Sequence, residues 1–501
     1  MRFWTYALLA LCTPLLAACG SSDDGALDVA IIGSGEELFA SGIKLSPGAQ
    51  LLRDATESGL VALDADGAVV PALAERWIIM DDGRTFIFRL REGTWPDGEE
   101  MTANSVRRAL LRQIGALRGT SLGLDLAPIE DVRAMAARVI EIQLSTPVPD
   151  MLLLFAQPEL ALSSGDGGTG PMVLEPEREG EGAQLQMKPP AERGLPEMED
   201  WADYTRAISV RGTPVREAIA GFEDGHFDVI LGGNLGGWPL VNVGPLSRGT
   251  VRIDPAIGLF GLQVLREDGI LADAETREAL SMAIDRTELL AAFNVSGWLP
   301  TSRMVAPGLA GDEGFVTERW EELSLDERRV EAVKRIAARA RTQNSGESGP
   351  DEERTAFATL RVVIGNEPGH AALLKALDRQ LSLVGVRLER ADNRRGADLA
   401  LVDRTARYAD PRWFLNQFNC TLKRGLCSPE ADELVKLAQS EPDMRLRATL
   451  LSEAETTLAD ANIYFPLGAP LRWSLVRSSV VNYSANSWAF HPLPELATIP
   501  R

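Results

Sequence analysis

The sequence has few residues of several chemically active kinds. It contains 3 histidines and 4 cysteines, and its 51 lysines and arginines are outnumbered by 72 acidic residues. The resulting net charge of −21 repels phosphate backbones, so we expect no nucleic-acid partner. The histidines (His226, His370 and His491) are scattered and no Cys-x-x-Cys occurs. A metal site is therefore poorly supported, and we expect no cofactor.

Sequence signatures of several enzyme classes are also missing. There is no Gly-x-Ser-x-Gly, no Walker loop and no His-Glu-x-x-His, and Gly33-Ser34-Gly35 lacks the third glycine of a dinucleotide loop. Ser41-Gly42-Ile43-Lys44 fits Ser-x-x-Lys and Ser484-Ala485-Asn486 fits Ser-x-Asn, but no Lys-Thr-Gly accompanies them. Chance explains these matches better than chemistry does. We predict that the protein is not an enzyme.

Long apolar runs are scarce, and the run at the N-terminus is short. Arg2 precedes an apolar stretch at 7–16, which is shorter than the roughly 20 residues needed to span a bilayer. A charged start, an apolar middle and a small-residue end are typical of a secretory signal peptide. The end, Leu16-Ala17-Ala18-Cys19, resembles the lipobox of bacterial lipoproteins.

That resemblance implies a signal peptide at 1–18, a lipid on Cys19 and a polar tether at 19–26. The acyl chains would hold the protein at a membrane surface, so we expect an extracytoplasmic or periplasmic protein anchored to the cell membrane or outer membrane. The alternative is an ordinary signal peptide cut near Ala18, with Cys19 incidental.

Two cysteines remain after export, because Cys12 leaves with the signal and Cys19 carries the lipid. Cys420 and Cys427 lie seven positions apart and would meet an oxidising compartment, in which disulfides persist. We interpret them as a disulfide that closes a small loop. Two free thiols are the alternative.

Strand and helix patterns interleave along the rest of the chain. Residues 85–91 place Phe86, Phe88 and Leu90 on one face of a strand, and residues 104–117 carry the apolar stripe of a helix. A βα succession follows later, with a strand at 360–364, a helix at 369–384 and strands at 386–390 and 398–402. These patterns predict an α/β protein with parallel or mixed sheets covered by helices.

An ordered set of motifs points to one family. The first group lies within residues 59–110: PALAERW at 71–77, DG at 82–83, FIFRLREG at 86–93, DG at 97–98 and TA at 102–103. The same order continues with GTGP at 168–171, GHFD at 225–228, REALSMAIDR at 277–286 and DPRWFL at 410–415. The set resembles the peptide/nickel group of ABC-importer solute-binding proteins, and the Cys420–Cys427 stretch resembles a disulfide loop of peptide-binding members.

The resemblance implies a two-lobed periplasmic-binding-protein fold (type II, cluster C-like) with an extra subdomain in lobe I. Lobe I would comprise 27–45, 165–255 and 471–501, the inserted subdomain 46–164, and lobe II 256–470. A peptide or other small solute would bind between the lobes, and hinge closure would bury it. The loaded protein, expected to be a monomer, would deliver the solute to the permease subunits of an ABC importer.

The sequence departs from the family pattern where the ligand should bind. Peptide-binding relatives carry an aspartate three residues before the Asp-Pro pair, which pairs with the peptide's α-amine, but here that position is Arg407. The usual nearby tryptophan is replaced by Arg404. A guanidinium repels an ammonium and suits a carboxylate or phosphate. One hypothesis therefore places Arg407 and Tyr408 in the cleft, favouring an anionic or amine-free ligand. Alternatively, an alignment gap moves Asp403 into the acid's place, or Arg407 is a solvated surface charge.

Other candidate ligand contacts are weaker. Trp238 and Trp413 could form a ligand wall, although tryptophan in such positions more often serves packing. Ser34 and Glu36 lie in the loop after the first strand, where relatives bring main chain to the ligand and where glycine permits close approach; a simple turn is the alternative.

A second function is compatible with the same fold, namely an envelope lipoprotein sensor or scaffold without a transport role. A cleft that closes on a ligand would favour the receptor. A cleft filled by the protein's own side chains would favour the scaffold.

Overall fold

A computed structural model of the chain describes residues 25–164, 167–177, 182–244, 249–309, 311–343 and 358–500. The predicted signal peptide and the predicted lipidation site Cys19 lie outside these ranges. So does most of the stretch QNSGESGPDEER at 343–354, whose composition favours an exposed loop. Strands and helices interleave through the described residues, which confirms the predicted mixed α/β class. No helix in these ranges combines the length and the apolar character that a bilayer crossing requires.

The strands, in chain order, are β1 (Leu27–Ile32), β2 (Val61–Leu63), β3 (Val69–Pro71), β4 (Ala74–Met80), β5 (Thr85–Leu90), β6 (Ile129–Ala136), β7 (Val139–Leu144), β8 (Ser163–Ser164), β9 (Gly167–Gly168), β10 (Met172–Pro176), β11 (Gly182–Met187), β12 (Ile208–Thr213), β13 (Val229–Gly233), β14 (Val251–Asp254), β15 (Gly258–Val264), β16 (Ala358–Val363), β17 (Val386–Ala391), β18 (Leu399–Thr405), β19 (Tyr464–Gly468) and β20 (Arg472–Val476).

The helices are α1 (Gly35–Leu38), α2 (Pro47–Thr56), α3 (Ala103–Ala116), α4 (Ser121–Asp125), α5 (Met151–Phe155), α6 (Val215–Asp224), α7 (Ala274–Met282), α8 (Arg286–Ala291), α9 (Leu325–Gln343), α10 (Pro368–Ser382), α11 (Pro411–Asn416), α12 (Pro429–Ser440), α13 (Met444–Asp460) and α14 (Leu493–Leu496). A short 3₁₀ turn at Pro158–Leu160 also contributes to the site described below.

Three sheets organise the molecule. The first has seven strands in the order β10-β11-β12-β1-β13-β20-β14, with β1 parallel to both of its neighbours. The second has five strands in the order β17-β16-β18-β15-β19, with β16 parallel to both neighbours and β15 antiparallel to both of its own. The third is an antiparallel sheet of four strands, β4-β5-β7-β6.

The local sequence explains why the four-stranded sheet and α3 form. Phe86, Phe88 and Leu90 alternate along β5 and all three are buried, as a period of two requires. The rings of Phe86 and Phe88 pack edge-on against Phe155. The next helix, α3, begins after Thr102, whose hydroxyl accepts a hydrogen bond from the Ser105 amide and so caps the first turn.

The seven- and five-stranded sheets are joined by two chain crossings, one between β14 and β15 and the other between β19 and β20. These crossings are neighbours, because Asp254 is paired with Arg472 on one side and Phe260 with Gly468 on the other. An ion pair of 2.7 Å between Arg472 and Asp403 bridges the same region.

The four-stranded sheet is not an isolated unit. Its buried apolar residues form one continuous core with side chains of β18 and α11–α13, including Trp413 and Phe414, and with Tyr408 between β18 and α11. The residues between 46 and 164 therefore pack directly on the five-stranded sheet and its helices. This contact places the candidate site between them.

Candidate functional site

The candidate site lies where α4 and the 3₁₀ turn at Pro158–Leu160 face the end of β18 and the start of α11. Local capping positions both walls. The Thr120 hydroxyl caps α4, and the Asp410 carboxylate accepts from the Arg412 amide with Pro411 in the first turn of α11. An Asp-Pro pair favours this arrangement, because aspartate is a preferred helix cap and proline suits the first helical turn.

Arg407 makes a bidentate ion pair across this interface. Its two terminal nitrogens lie 2.9 and 2.6 Å from the two carboxylate oxygens of Glu159, and one of them also donates to Gln157 at 2.7 Å. Burial opposes charge on both partners, but their attraction outweighs it, so the pKa of Arg407 is raised and that of Glu159 is lowered. Arg407 is thus neither a solvated surface charge nor an uncompensated one.

Tyr408 makes a second link between the same walls. It is 1% exposed, and its hydroxyl donates to the Asp125 carboxylate at 2.9 Å. The Asn416 amide donates to the same oxygen at 2.7 Å, while Arg412 Nε donates to the tyrosine hydroxyl at 3.2 Å. Asp125 is completely buried, and burial raises its pKa to about 6 despite the nearby Arg412. Tyr408 does not face an open cleft, and in this structure its contacts are internal.

Two further arginines, one in β18 and one in the loop before α12, donate to one neutral acceptor. Arg404 Nη1 and Arg424 Nη1 donate to Gln417 Oε1 at 3.2 and 2.9 Å. Gln417 is held by its own Nε2, which donates to the Trp413 carbonyl at 3.1 Å. Arg424 also reaches Ser121 on α4 at 3.4 Å, so this pair lies at the same interface.

Trp238 and Trp413 are buried packing residues. Trp238 Nε1 donates to the Phe293 carbonyl at 2.9 Å, and its ring lies 6.4 Å from that of Trp473. Trp413 packs edge-on against Phe414 with ring centroids 5.0 Å apart. The structure does not bring these two tryptophans together, and their ligand role stays a prediction.

Ser34 and Glu36 lie at the start of α1 and are exposed. Ser34 caps α1, because its hydroxyl accepts from the Glu37 amide at 3.2 Å. Ser34 lines a surface concavity with Thr213 and Phe227 rather than with Arg407 or Tyr408. The structure accounts for Ser34 as a cap, and a ligand contact there stays a prediction.

Cys420 and Cys427 form a disulfide in the structure, with their Cα atoms 5.2 Å apart. The bond closes the loop that contains Arg424. Within the described ranges, no group of three or more histidine, cysteine, aspartate or glutamate side chains is placed to hold a metal ion.

A cavity of about 540 Å³ lies away from these residues. It separates the 46–164 segment from the seven-stranded-sheet unit, by which we mean the seven-stranded sheet with its flanking segments at 168–195 and 492–495. Its lining includes Asp54, Trp95, Lys188, Arg193 and Glu495. Burial and the neighbouring Glu495 raise the pKa of Asp54 to about 7. This volume lies within the range of small-molecule pockets, but it is not between the predicted lobes.

Sequence reasoning missed Asp125 and Glu159, the acids that engage Tyr408 and Arg407. A signal was present for each. Glu159 is the single charge within residues 151–162, and Asp125 is the single charge within residues 121–129. A lone carboxylate in an apolar run is buried only when it is paired, which indicates a distant partner.

Comparison with known proteins agrees with this architecture. The model of a family described as bacterial extracellular solute-binding proteins, family 5 Middle, matches residues 68–424. The dipeptide-binding protein DppE of Bacillus subtilis is 22% identical over 459 residues, which cover 82% of this chain and 80% of that protein.

Solved structures show the same two-lobed fold. OppA of Haemophilus influenzae, in complex with RPPGFSPFR, superposes with a TM-score of 0.77 at 17% identity and covers 95% of this chain and 100% of its own. MppA, the murein tripeptide binding protein of Escherichia coli, gives a TM-score of 0.75 at 20% identity over 95% of this chain and 97% of its own.

Proposed function

Because this chain belongs to the family 5 bacterial extracellular solute-binding proteins, we propose that it captures a small solute between two lobes and delivers it to the permease of an ABC importer. The observation that carries the proposal is the convergence of polar side chains from two opposed walls, with Asp125 and Glu159 on one and Arg404, Arg407 and Tyr408 on the other. Relatives named for dipeptide and murein tripeptide binding support a peptide-like or other small organic solute. The protein would act as a binding protein without catalysis.

The proposal keeps the lobe boundaries given above, with 46–164 inserted in lobe I and 256–470 forming lobe II. It also includes a lipid on Cys19, which would hold a monomer at an extracytoplasmic membrane surface beside its permease.

One observation favours a second candidate, the envelope scaffold or sensor. The interface is filled by the protein's own side chains, because Arg407 is satisfied by Glu159 and Gln157, and Tyr408 by Asp125. A solute would have to enter an opened form and replace some of these contacts. Selective binding to the closed form would then shift the population towards it.

Thermal unfolding of the purified chain separates these candidates. We expect a saturable rise in melting temperature with a member of a panel of di- and oligopeptides, opines, nickel chelates and sugars, because a ligand that binds the folded state stabilises it. Small-angle scattering should show a smaller radius of gyration with that solute. No shift and no compaction with any class would favour the scaffold.

A further inference from the structure

We propose that Arg404 and Arg424 form a binding site for the oxyanion of the solute, a carboxylate or a phosphate group. The inference rests on the proposed solute-binding function and specifies the chemical class of the solute. It assigns recognition of an anionic group to these two guanidiniums rather than to Arg407, because Glu159 already neutralises Arg407.

The geometry of these two side chains is that of a donor pair around an oxygen. Their Nη1 atoms converge on the single oxygen Gln417 Oε1 from 3.2 and 2.9 Å. A guanidinium has five N–H donors, so each arginine retains unused donors beside that point. An anionic oxygen next to Gln417 would receive charge-assisted hydrogen bonds from both, which are stronger than those to an amide.

No carboxylate of the described residues forms an ion pair with either arginine. Neither guanidinium has a carboxylate oxygen within 4.0 Å in that part of the chain. Glu159 pairs with Arg407 and Asp403 with Arg472. Asp125 accepts from Tyr408 through Oδ1 and attracts Arg424 only from beyond ion-pair distance, so that burial and the neighbouring arginines still lower the pKa of Arg424. Burial and repulsion from Arg424 and Arg394 lower the pKa of Arg404 to about 10, the response of a cation that lacks its counter-ion.

Two more polar groups share the sheet face of Arg404. Strand register places Arg404 opposite Leu259, and Gln263 opposite Tyr464, so that alternation puts Arg404, Gln263 and Tyr464 on one side. Gln263 Nε2 and the Tyr464 hydroxyl are buried and have no hydrogen-bond partner among the described residues. Each can donate to an oxyanion or to an ordered water beside it.

The test compares Arg404→Gln and Arg424→Gln with an exposed control, Arg445→Gln, in the full chain. Calorimetric titration would use succinate as the carboxylate probe, phenyl phosphate as the phosphate probe and neutral succinamide as their uncharged counterpart. We expect wild type and the control to bind one oxyanion probe saturably. Each site variant should weaken that binding at least about tenfold, because one charge-assisted contact is lost. Succinamide should not compete.

Loss of binding through unfolding has a separate readout. Removing one of two unneutralised, mutually repelling cations should leave the ligand-free melting temperature of Arg404→Gln equal to or above that of wild type. A fall of several degrees would contradict the inferred electrostatics.

The remaining outcomes of the titrations distinguish failure of the oxyanion site from failure of the proposed function. If both site variants bind the oxyanion probes like wild type, or if wild type binds only uncharged solutes, the oxyanion site is wrong while the solute-binding function stands. If neither these probes nor any solute of the wider panel binds, the proposed function fails together with the inference.

Discussion

At the scale of single residues, Asp54 is a carboxylate held in an environment that opposes its charge. It lines the cavity between the 46–164 segment and the seven-stranded-sheet unit, with Glu495 nearby. Burial, and secondly Glu495, raise its pKa to about 7, against roughly 3.9 for an unfolded aspartate. Because the folded-state pKa is the higher one, the folded protein binds more protons between about pH 4 and pH 7. Stability therefore falls as pH rises through this window.

The prediction concerns Asp54→Asn, which removes the cost of ionising this group. We expect the variant to gain stability over wild type as pH rises from 5 to 8, by an amount of the order of 1–2 kcal/mol once solvent in the cavity is allowed for. Urea unfolding at several pH values measures this difference in stability. Replacing Glu495 by glutamine in both proteins should make the difference smaller, because Glu495 is the second cause of the raised pKa. A gap that is the same at pH 5 and pH 8 would contradict the assignment.

Residue contacts were the least predictable part of the site. The sequence indicates that Arg407 stands where peptide-binding relatives have an acid, but Glu159 lies 248 positions away in the chain. Neither local propensity nor spacing links two such positions, because their meeting depends on how the 46–164 segment packs against α11. Capping is different: Asp410 and Asp285 act on amides within three residues, so their roles could be predicted.

At the scale of elements, the GTGP turn at 168–171 is hydrogen-bonded both to the end of α2 and to the chain just before β8. Gly170 donates to the Thr56 carbonyl at the end of α2 at 2.8 Å, and Thr169 donates to the Leu162 carbonyl at 2.8 Å. A Cβ atom on Gly170 would lie 2.2 Å from the Thr56 carbonyl carbon, which is backbone and cannot turn aside. Glycine is required at position 170 because the backbone of Thr56 lies too close to leave room for a side chain.

Gly170→Ala should therefore destabilise the protein by about 1–3 kcal/mol, the usual cost of forcing atoms into a packed site. The matched control is Gly115→Ala on α3, where an added Cβ meets nothing within 4 Å. That control should stabilise by about 0.5–1 kcal/mol, because alanine is the better helix former. Chemical denaturation measures both, and equal effects would show that space at Gly170 is not limiting.

Elements with a strong period were predicted closely. Strand β5 and helix α3 fall within one residue of the ranges expected from alternation and from the apolar stripe. Of the loop expected at 343–354, the structure describes only Gln343, which is the last residue of α9. Short strands such as β8 and β9 carry too few residues for any period and were not predicted.

At the scale of the whole molecule, the ordered motif set predicted the two-lobed fold, although composition alone would not have done so. It could not predict that the four-stranded sheet shares its core with α11–α13, because that contact joins segments at least 267 positions apart. Because of this shared core, the opening that the proposed function requires would separate an apolar as well as a polar surface.

The attachment of the molecule to a membrane is a separate prediction. Cys19 should carry acyl chains, so metabolic labelling with a radioactive fatty acid should mark the wild-type protein in a bacterial host that processes lipoproteins. Cys19→Ser should remain unlabelled and partition into the aqueous phase of a detergent extraction. The mutant Cys12→Ser is the control and should label like wild type. Equal labelling of wild type and Cys19→Ser would leave an ordinary signal peptide as the explanation.

The Cys420–Cys427 disulfide has a consequence for when the protein becomes competent. Arg424 lies inside the ring that this bond closes, so its position depends on a covalent link that forms in an oxidising compartment. A newly made chain in a reducing cytosol would lack the ring, and the position of its Arg424 beside Gln417 would not yet be fixed by it. Under the proposed function, maturation and recognition would thereby be ordered in time: the chain would complete its solute site only after it has left the compartment in which that solute is consumed.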